Sequence, residues 1–295
     1  FNELINLYDQ NKMPNKILLS GKKGLGKATL AYHLINYILS IDEDYKYNQK
    51  ELNINEKNKS YNLVKNNTHP NFHLVDLLDE KKNIDISQIR KMITYTNKSS
   101  FNNKPRLILI DNLEKLNLSS SNSLLKVIEE PNANVFFILI HNNEKKIMLT
   151  LKSRCITFKI NLPFDQSIVI FNYLNKENLY KLINIDLINH YSTHGDFIRL
   201  VNFAKEKKIK LTEFSLSKFL ELLISKSFYK KDNYVRNLLY NLIELYLYRI
   251  YRLSSSKDDI TKFYQNFIKK INYTDRFNLD EETLFLEFKL KILNG

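Results

Sequence analysis

The chain has 295 residues, a formal net charge of +13, 43% hydrophobic residues and a single cysteine. That hydrophobic share supports packed cores and excludes disorder over most of the chain, and the length suits roughly two or three domains. No apolar run reaches the roughly 18–20 residues of a membrane span. The first residues lack the basic-then-apolar pattern of a secretion signal, and one cysteine excludes an internal disulfide and a thiolate zinc site. A cytoplasmic protein without a membrane partner is the expectation.

The positive balance suits a polyanion, nucleic acid foremost. Lys, Asn, Ile and Tyr are abundant everywhere while Gly and Ala are scarce. Such a bias writes lysine wherever charge is tolerated, so charge alone assigns no partner.

In chain order, residues 16–20 (KILLS), after Pro14, predict a short buried strand. GKKGLGKATL follows at 21–30. Gly21, Gly26 and Lys27 fit the phosphate-loop pattern G-x-x-x-x-G-K-[ST], but its hydroxyl position holds Ala28. Three of the five glycines, Gly21, Gly24 and Gly26, fall in this loop. A chain that avoids glycine has kept it where the backbone turns tightly. Residues 27–40 then carry Leu30, Leu34, Ile35 and Ile38 at helical spacing. Strand, glycine turn and helix form the context a phosphate loop requires, with helix-end amides and Lys27 facing the anion.

Residues 41–68 are Asn- and Lys-rich with few apolar anchors, and read as an irregular or mobile insertion. FHLVDLL at 72–78 predicts a second strand. Asp85 and Gln88 have capping-box spacing and open a helix over about 86–97. PRLILIDNL at 105–113 predicts a strand ending in Asp111, and 120–130 a helix stopped by Pro131. VFFILIHNN at 135–143 and CITFKI at 155–160 predict further strands. Strands alternating with helices imply an α/β fold with a parallel sheet. After Pro163, the last proline, helical patterns take over at about 164–176, 185–193, 196–207, 215–228, 233–253, 257–271 and 280–293. That shift marks a domain boundary, and a weaker one falls near 208–212.

Asp111 stands where a Walker B carboxylate holds Mg²⁺ through water. Active ATPases of the AAA+ type place Glu next to polarise water; here it is Asn112, an amide that cannot act as a base. Ala28 removes the Mg²⁺-coordinating hydroxyl, and Thr29, about 100° further round the helix, points away. Two separate parts of a hydrolytic site are missing. Arg154, in KSRC at 152–155, lies between two strands and has the chemistry of an arginine finger for a neighbour's γ-phosphate; an exposed surface arginine is the plain alternative. Arg199, in GDFIRL after Gly195, is a candidate to point back at the nucleotide site, against a helix-surface charge. His69, His73, His141, His190 and His194 show no metal spacing, and Cys155 reads as a packing residue.

Taken together, KILLSGKKGLGKATLAYHL, His69-Pro70, IDISQIRKM, RLILIDNLEKLNLSSSNSLLKVIEEP, FFILIHNN and LKSRC resemble the delta-prime subunits of bacterial DNA polymerase III clamp loaders, of the AAA+ family. The resemblance covers about residues 10–205; the last 85 are similar only in being helical. It implies a RecA-like P-loop domain (1–163), a small helical lid (164–210) and an all-α collar that oligomerises (211–295). It further implies a pentamer with gamma/tau ATPase subunits and a delta subunit, meeting the sliding clamp and primed DNA through the complex. In that family delta-prime does not hydrolyse ATP and offers the Arg of its Ser-Arg-Cys motif to an adjacent ATPase. Carried over, that is Arg154 beside Ser153 and Cys155, with Gly21, Gly24, Gly26, Lys27, Ala28, Thr29, Asp111 and Arg199 as a vestigial nucleotide site. No cofactor is then required, though loop amides and Lys27 leave room for weak ATP or ADP binding. Many relatives carry a four-cysteine zinc module before the Walker B strand; residues 40–70 contain no cysteine, so no zinc is expected. Two other readings stand beside this one: an active AAA+ ATPase of the gamma/tau type, and a plain DNA-binding protein whose affinity falls steeply with salt.

Overall fold

A computed structural model describes residues 1–78, 81–97, 104–132, 134–230, 232–254, 257–277 and 279–293. The chain packs as two units, one of residues 1–163 with Thr193–Asp196, the other of residues 164–192 with 197–295.

In the first unit, α1 (Asn2–Asp9) precedes β1 (Lys16–Ser20), and α2 (Lys27–Leu39) follows the glycine loop. Then come α3 (Lys59–Lys65), β2 (Phe72–Val75), α4 (Ile86–Thr96), β3 (Arg106–Ile110), α5 (Leu118–Glu129), β4 (Val135–His141), α6 (Leu149–Ser153) and β5 (Ile156–Lys159). The strands form one parallel sheet in the order β2-β3-β4-β1-β5. All five residues of β3 are buried, which is why it reads as an unbroken apolar run rather than an alternating one. One face of the sheet packs Leu19, Leu107 and Ile138 against Leu34, Ile35 and Ile38 of α2. The other packs Leu18, Ile108 and Phe137 against Ile89 of α4 and Leu124 and Ile128 of α5. Full burial of each such side chain is worth about 1.5–3 kcal/mol. The register sets Ser20 beside His141 and Ile110 beside Leu139, so β1, β3 and β4 deliver their following loops to one edge. In parallel α/β sheets that carboxyl edge is where ligands bind.

Most elements lie where the sequence pattern puts them, and α4 carries the expected capping box, with Asp85 N–H donating to Gln88 Oε1 at 3.1 Å. The expectation of an irregular segment at 41–68 holds over 41–58, which are turns and bends, and is corrected at 59–65. It contains α3, whose N-cap Asn58 accepts from Tyr61 N at 2.6 Å, and whose first amides at Lys59 and Ser60 donate to the Glu43 carboxylate at 2.9 and 3.1 Å. Ser60 Oγ donates to Glu43 Oε1 (2.5 Å) and lies 3.1 Å from buried His69, and Asn36 Nδ2 of α2 reaches Asn58 Oδ1 at 3.0 Å. Polar side chains rather than apolar anchors order the segment, and hydrophobic periodicity does not register them.

The second unit is helical: α7 (Phe164–Asn175), α8 (Leu179–Leu182), α9 (His194–Glu206, from Phe197 on), α10 (Leu216–Ser225), α11 (Asn233–Leu253), α12 (Lys257–Phe277) and α13 (Glu282–Phe288), ending in a π-helical turn, Lys289–Leu293. A helix over 185–193 is not found. Only a 3₁₀ turn forms, Ile185–Leu187, because Asn184 caps a single turn through Asp186 N, while α8 lies earlier. One apolar core runs from Phe171 through Leu211 to Phe288, passing residues 208–212 without a break. No described helix is long and apolar enough to cross a membrane.

Candidate functional site

The loop between β1 and α2 turns through Gly24 (φ 83°) and Gly26 (φ 79°), both in the left-handed region that favours glycine. Lys27, the first residue of α2, is only 3% exposed. Its Nζ donates to the carbonyls of Gly21 at 2.9 Å and Lys22 at 2.5 Å. Burial pulls its pKa down to about 8, against the raising influence of Asp111, Glu114 and Glu144. Lys23 of the same loop pairs with Glu144 at 3.4 Å.

A second segment fastens this loop. Thr193 Oγ1 donates to Lys23 O at 3.0 Å, and Gly195 N–H to Gly24 O at 3.2 Å. Asp196 Oδ2 braces the turn by accepting from Thr193 N at 2.9 Å, and it lies 2.9 Å from Thr193 Oγ1, whose single proton is shared between this carboxylate and Lys23 O. The two backbones touch so closely that a Cβ on Gly195 would stand 2.5 Å from Gly24 Cα, and one on Gly24 would stand 2.3 Å from Thr193 Oγ1. His194, 8% exposed, sets its Nε2 4.0 Å from where a Cβ on Gly26 would stand, and its buried Nδ1 has no hydrogen-bond partner among the described residues. Burial lowers its pKa, with Asp196 acting in opposition.

Ala28 is half-buried and packs against the α2 core, and Thr29 is exposed. Asp111 follows β3, and burial raises its pKa; Asp76 and Glu114 add to the rise, while the Asn112 amide, donating at 2.6 Å, opposes it. Asn112 is fully engaged. Its Nδ2 donates to Asp76 Oδ1 at 2.7 Å, and its Oδ1 accepts from Asn142 Nδ2 at 3.1 Å. The Asn142 backbone N–H in turn donates to Glu114 Oε2 at 3.1 Å. The residue thus joins the segments after β2, β3 and β4. Its backbone is left-handed (φ 52°), a conformation that asparagine tolerates far better than glutamate. The head of α2, with Lys27, suits a phosphate. It does not suit Mg²⁺, since Ala28 presents a methyl group where the hydroxyl ligand would be.

Arg154 is held differently. It is the C-cap of α6, set between Leu151 and Cys155, both buried in the sheet core. Cys155 packs in the sheet core, and burial pushes its thiol up to about 11. The Arg154 side chain, 36% exposed, pairs through Nη2 with Glu129 Oε1 at 2.5 Å and donates from Nη1 to Thr150 O at 2.9 Å. Arg199 is exposed on α9, in the second unit.

The sequence model of the family described as "DNA polymerase III, delta subunit" matches residues 1–163, which hold the phosphate loop, Asp111 and Arg154. The chain belongs to this family. It is similar to the DNA polymerase III subunit delta′ of Buchnera aphidicola subsp. Schizaphis graminum, 26% identical over 255 residues, 83% of this chain and 75% of the relative. It is also similar to that organism's DNA polymerase III subunit gamma, 32% identical over 174 residues but covering only 57% of this chain and 44% of the relative. A solved DNA polymerase III gamma subunit-related protein from Thermotoga maritima superposes with a TM-score of 0.42 at 15% identity, over 99% of this chain and 92% of that one.

In this delta-family chain the fold brings Gly21, Gly24, Gly26, Lys27 and Asp111 to one sheet edge. Sequence reasoning missed Asp76, Glu114, Asn142 and the Thr193–Asp196 turn. Asn142 and Asp76 had a signal, a polar residue directly after a buried strand. Thr193 had none, since its partner Lys23 is 170 residues away.

Proposed function

We propose that this chain is the non-hydrolysing delta-prime subunit of a DNA polymerase III clamp loader, of AAA+ type, supporting sliding-clamp loading on primed DNA. It lends Arg154 to the γ-phosphate site of a neighbouring gamma/tau ATPase. The observation that carries this reading is a contrast within one unit. Arg154 is rooted in the core by Leu151 and Cys155 yet keeps a half-exposed guanidinium. The chain's own loop lacks a hydroxyl at Ala28, and Asn112 is committed to Asp76 and Asn142. A water-polarising base is absent from that position, and Lys27 is spent on loop carbonyls. The subunit needs no cofactor of its own, zinc included; the α2 amides and Lys27 leave it a weak affinity for ATP or ADP. Residues 164–210 act as a helical lid and 211–295 as a collar that joins the gamma/tau and delta subunits, and clamp and primer–template DNA are met through the complex.

The test is ATP hydrolysis by a reconstituted loader with cognate delta, gamma/tau, clamp and primed DNA, containing either this chain or its Arg154→Ala form. An arginine finger is worth about 10³–10⁵ in rate, so the variant loses most stimulated turnover while the loader still assembles. Unchanged turnover, or failure of the chain to enter the loader, defeats the proposal. The gamma similarity favours one other reading, an active gamma/tau-type ATPase. It predicts DNA-stimulated turnover by the purified chain alone, which the Asn112 and Ala28 geometry argues against.

A further inference from the structure

Arg154 does not stand alone at the surface. Its two terminal nitrogens are each tied down, Nη2 to Glu129 Oε1 at 2.5 Å and Nη1 to Thr150 O at 2.9 Å. Both anchors are themselves fixed. Thr150 lies in α6, which Leu151 roots in the sheet core. Glu129 is the last residue of α5, a helix held to the same core by Leu124 and Ile128. The guanidinium also lies at the carboxyl end of α5, where the helix dipole favours a cation. An arginine side chain has large rotamer freedom, and immobilising it at the moment of reaction reduces the benefit of the charge it brings. Here the ordering is done in advance by groups of this same chain. A guanidinium carries five N–H donors; two bonds to the chain leave three donors for an oxyanion such as a phosphate.

We infer that Glu129 is a positioning residue for Arg154: its carboxylate orients the guanidinium toward the γ-phosphate of the neighbouring ATPase. The inference rests on the proposed finger role of Arg154 and adds a second residue to it. Glu129 is 48% exposed, so the pair adds little to fold stability. Its value lies in geometry, and a finger displaced by about an ångström can cost on the order of a hundredfold in rate.

The experiment uses the reconstituted loader with full-length chains carrying Glu129→Ala, Glu129→Gln, Arg154→Ala or Glu129→Ala with Arg154→Ala. Clamp- and DNA-stimulated ATP turnover is fitted for kcat and KM. Glu129→Ala lowers kcat on the order of tenfold, with KM for ATP, thermal midpoint and assembly unchanged. Glu129→Gln, which keeps a hydrogen-bond acceptor without the charge, lies between it and the wild type. The double variant is no slower than Arg154→Ala, because Glu129 acts only through the arginine. Wild-type kcat in Glu129→Ala beside a crippled Arg154→Ala overturns the positioning role and leaves the finger standing. A rise in kcat would make Glu129 a restraint and overturns it too, as does a double variant slower than Arg154→Ala. A neutral Arg154→Ala removes the finger and this inference with it.

Discussion

Two cationic side chains of the first unit, Lys27 and Arg154, meet opposite fates. Lys27 is 3% exposed and turned inward onto the carbonyls of its own loop. Arg154 is 36% exposed and, among the described residues, is tied by a surface carboxylate and one carbonyl. Releasing Lys27 means breaking buried hydrogen bonds of a charged donor, each worth about 1.5–3 kcal/mol. Releasing Arg154 costs about what an exposed ion pair costs, up to about 1 kcal/mol. In the loop that looks like chemistry in the sequence, Lys27 is bonded to its own backbone, whereas the side chain that looks like an ordinary surface arginine is the one the proposal lends to a neighbour.

The sharpest challenge to this contrast is to remove each charge in the assembled loader. Arg154→Ala is expected to cost about 10³-fold or more in stimulated turnover, while Lys27→Met changes the turnover of loaders that assemble less than about twofold, because Lys27 faces its own loop, and its loss registers instead as lower unfolding stability. Comparable losses would erase the distinction. The rooting of Arg154 is tested through its neighbour. With the thiol raised to about 11 by burial, native Cys155 is alkylated at pH 8 at least about a hundredfold more slowly than after denaturation; rapid labelling of the native chain would mean the 151–155 segment is loose. Closure of the loop is tested at Gly195. A methyl there meets the Gly24 backbone, which cannot swing aside, so Gly195→Ala lowers unfolding stability by about 1–3 kcal/mol in urea titrations. Asn112→Ala leaves Asp76 and Asn142 each short of a partner and costs about 1–2 kcal/mol.

The smallest effect is a pH dependence. With Lys27 lowered from 10.5 to about 8, the unfolded chain holds a proton between those values that the folded chain has released. Stability from this group therefore rises with pH across that window. Lys27→Met flattens the rise. Identical pH profiles for wild type and Lys27→Met would show that Lys27 is not held as described.

Much of this was readable from local pattern. KILLS followed by glycines and a helical apolar stripe specifies β1, the loop and α2, because strand burial, left-handed turns and helix periodicity each act within a few residues. The capping box at Asp85 and Gln88 is local in the same way. Ala28 and Asn112 needed no coordinates to suggest a degraded site. Less was legible where polar side chains order the chain: Glu43, Asn58, Ser60 and His69 build the 41–71 region without a hydrophobic period to announce it.

Sequence alone thus determines most of the elements and the glycine loop between β1 and α2, since these follow from residue type and short spacing. Packing of distant segments settles everything about where the charges point. Asn112 finds Asp76 and Asn142 across 36 and 30 residues, and Thr193 finds Lys23 across 170. Glu129 and Arg154 meet because α5 and α6 pack on one sheet face. Hydrogen bonds and ion pairs depend on angles and ångströms, and residues far apart in the chain acquire those only when a shared core brings their helices and strands together.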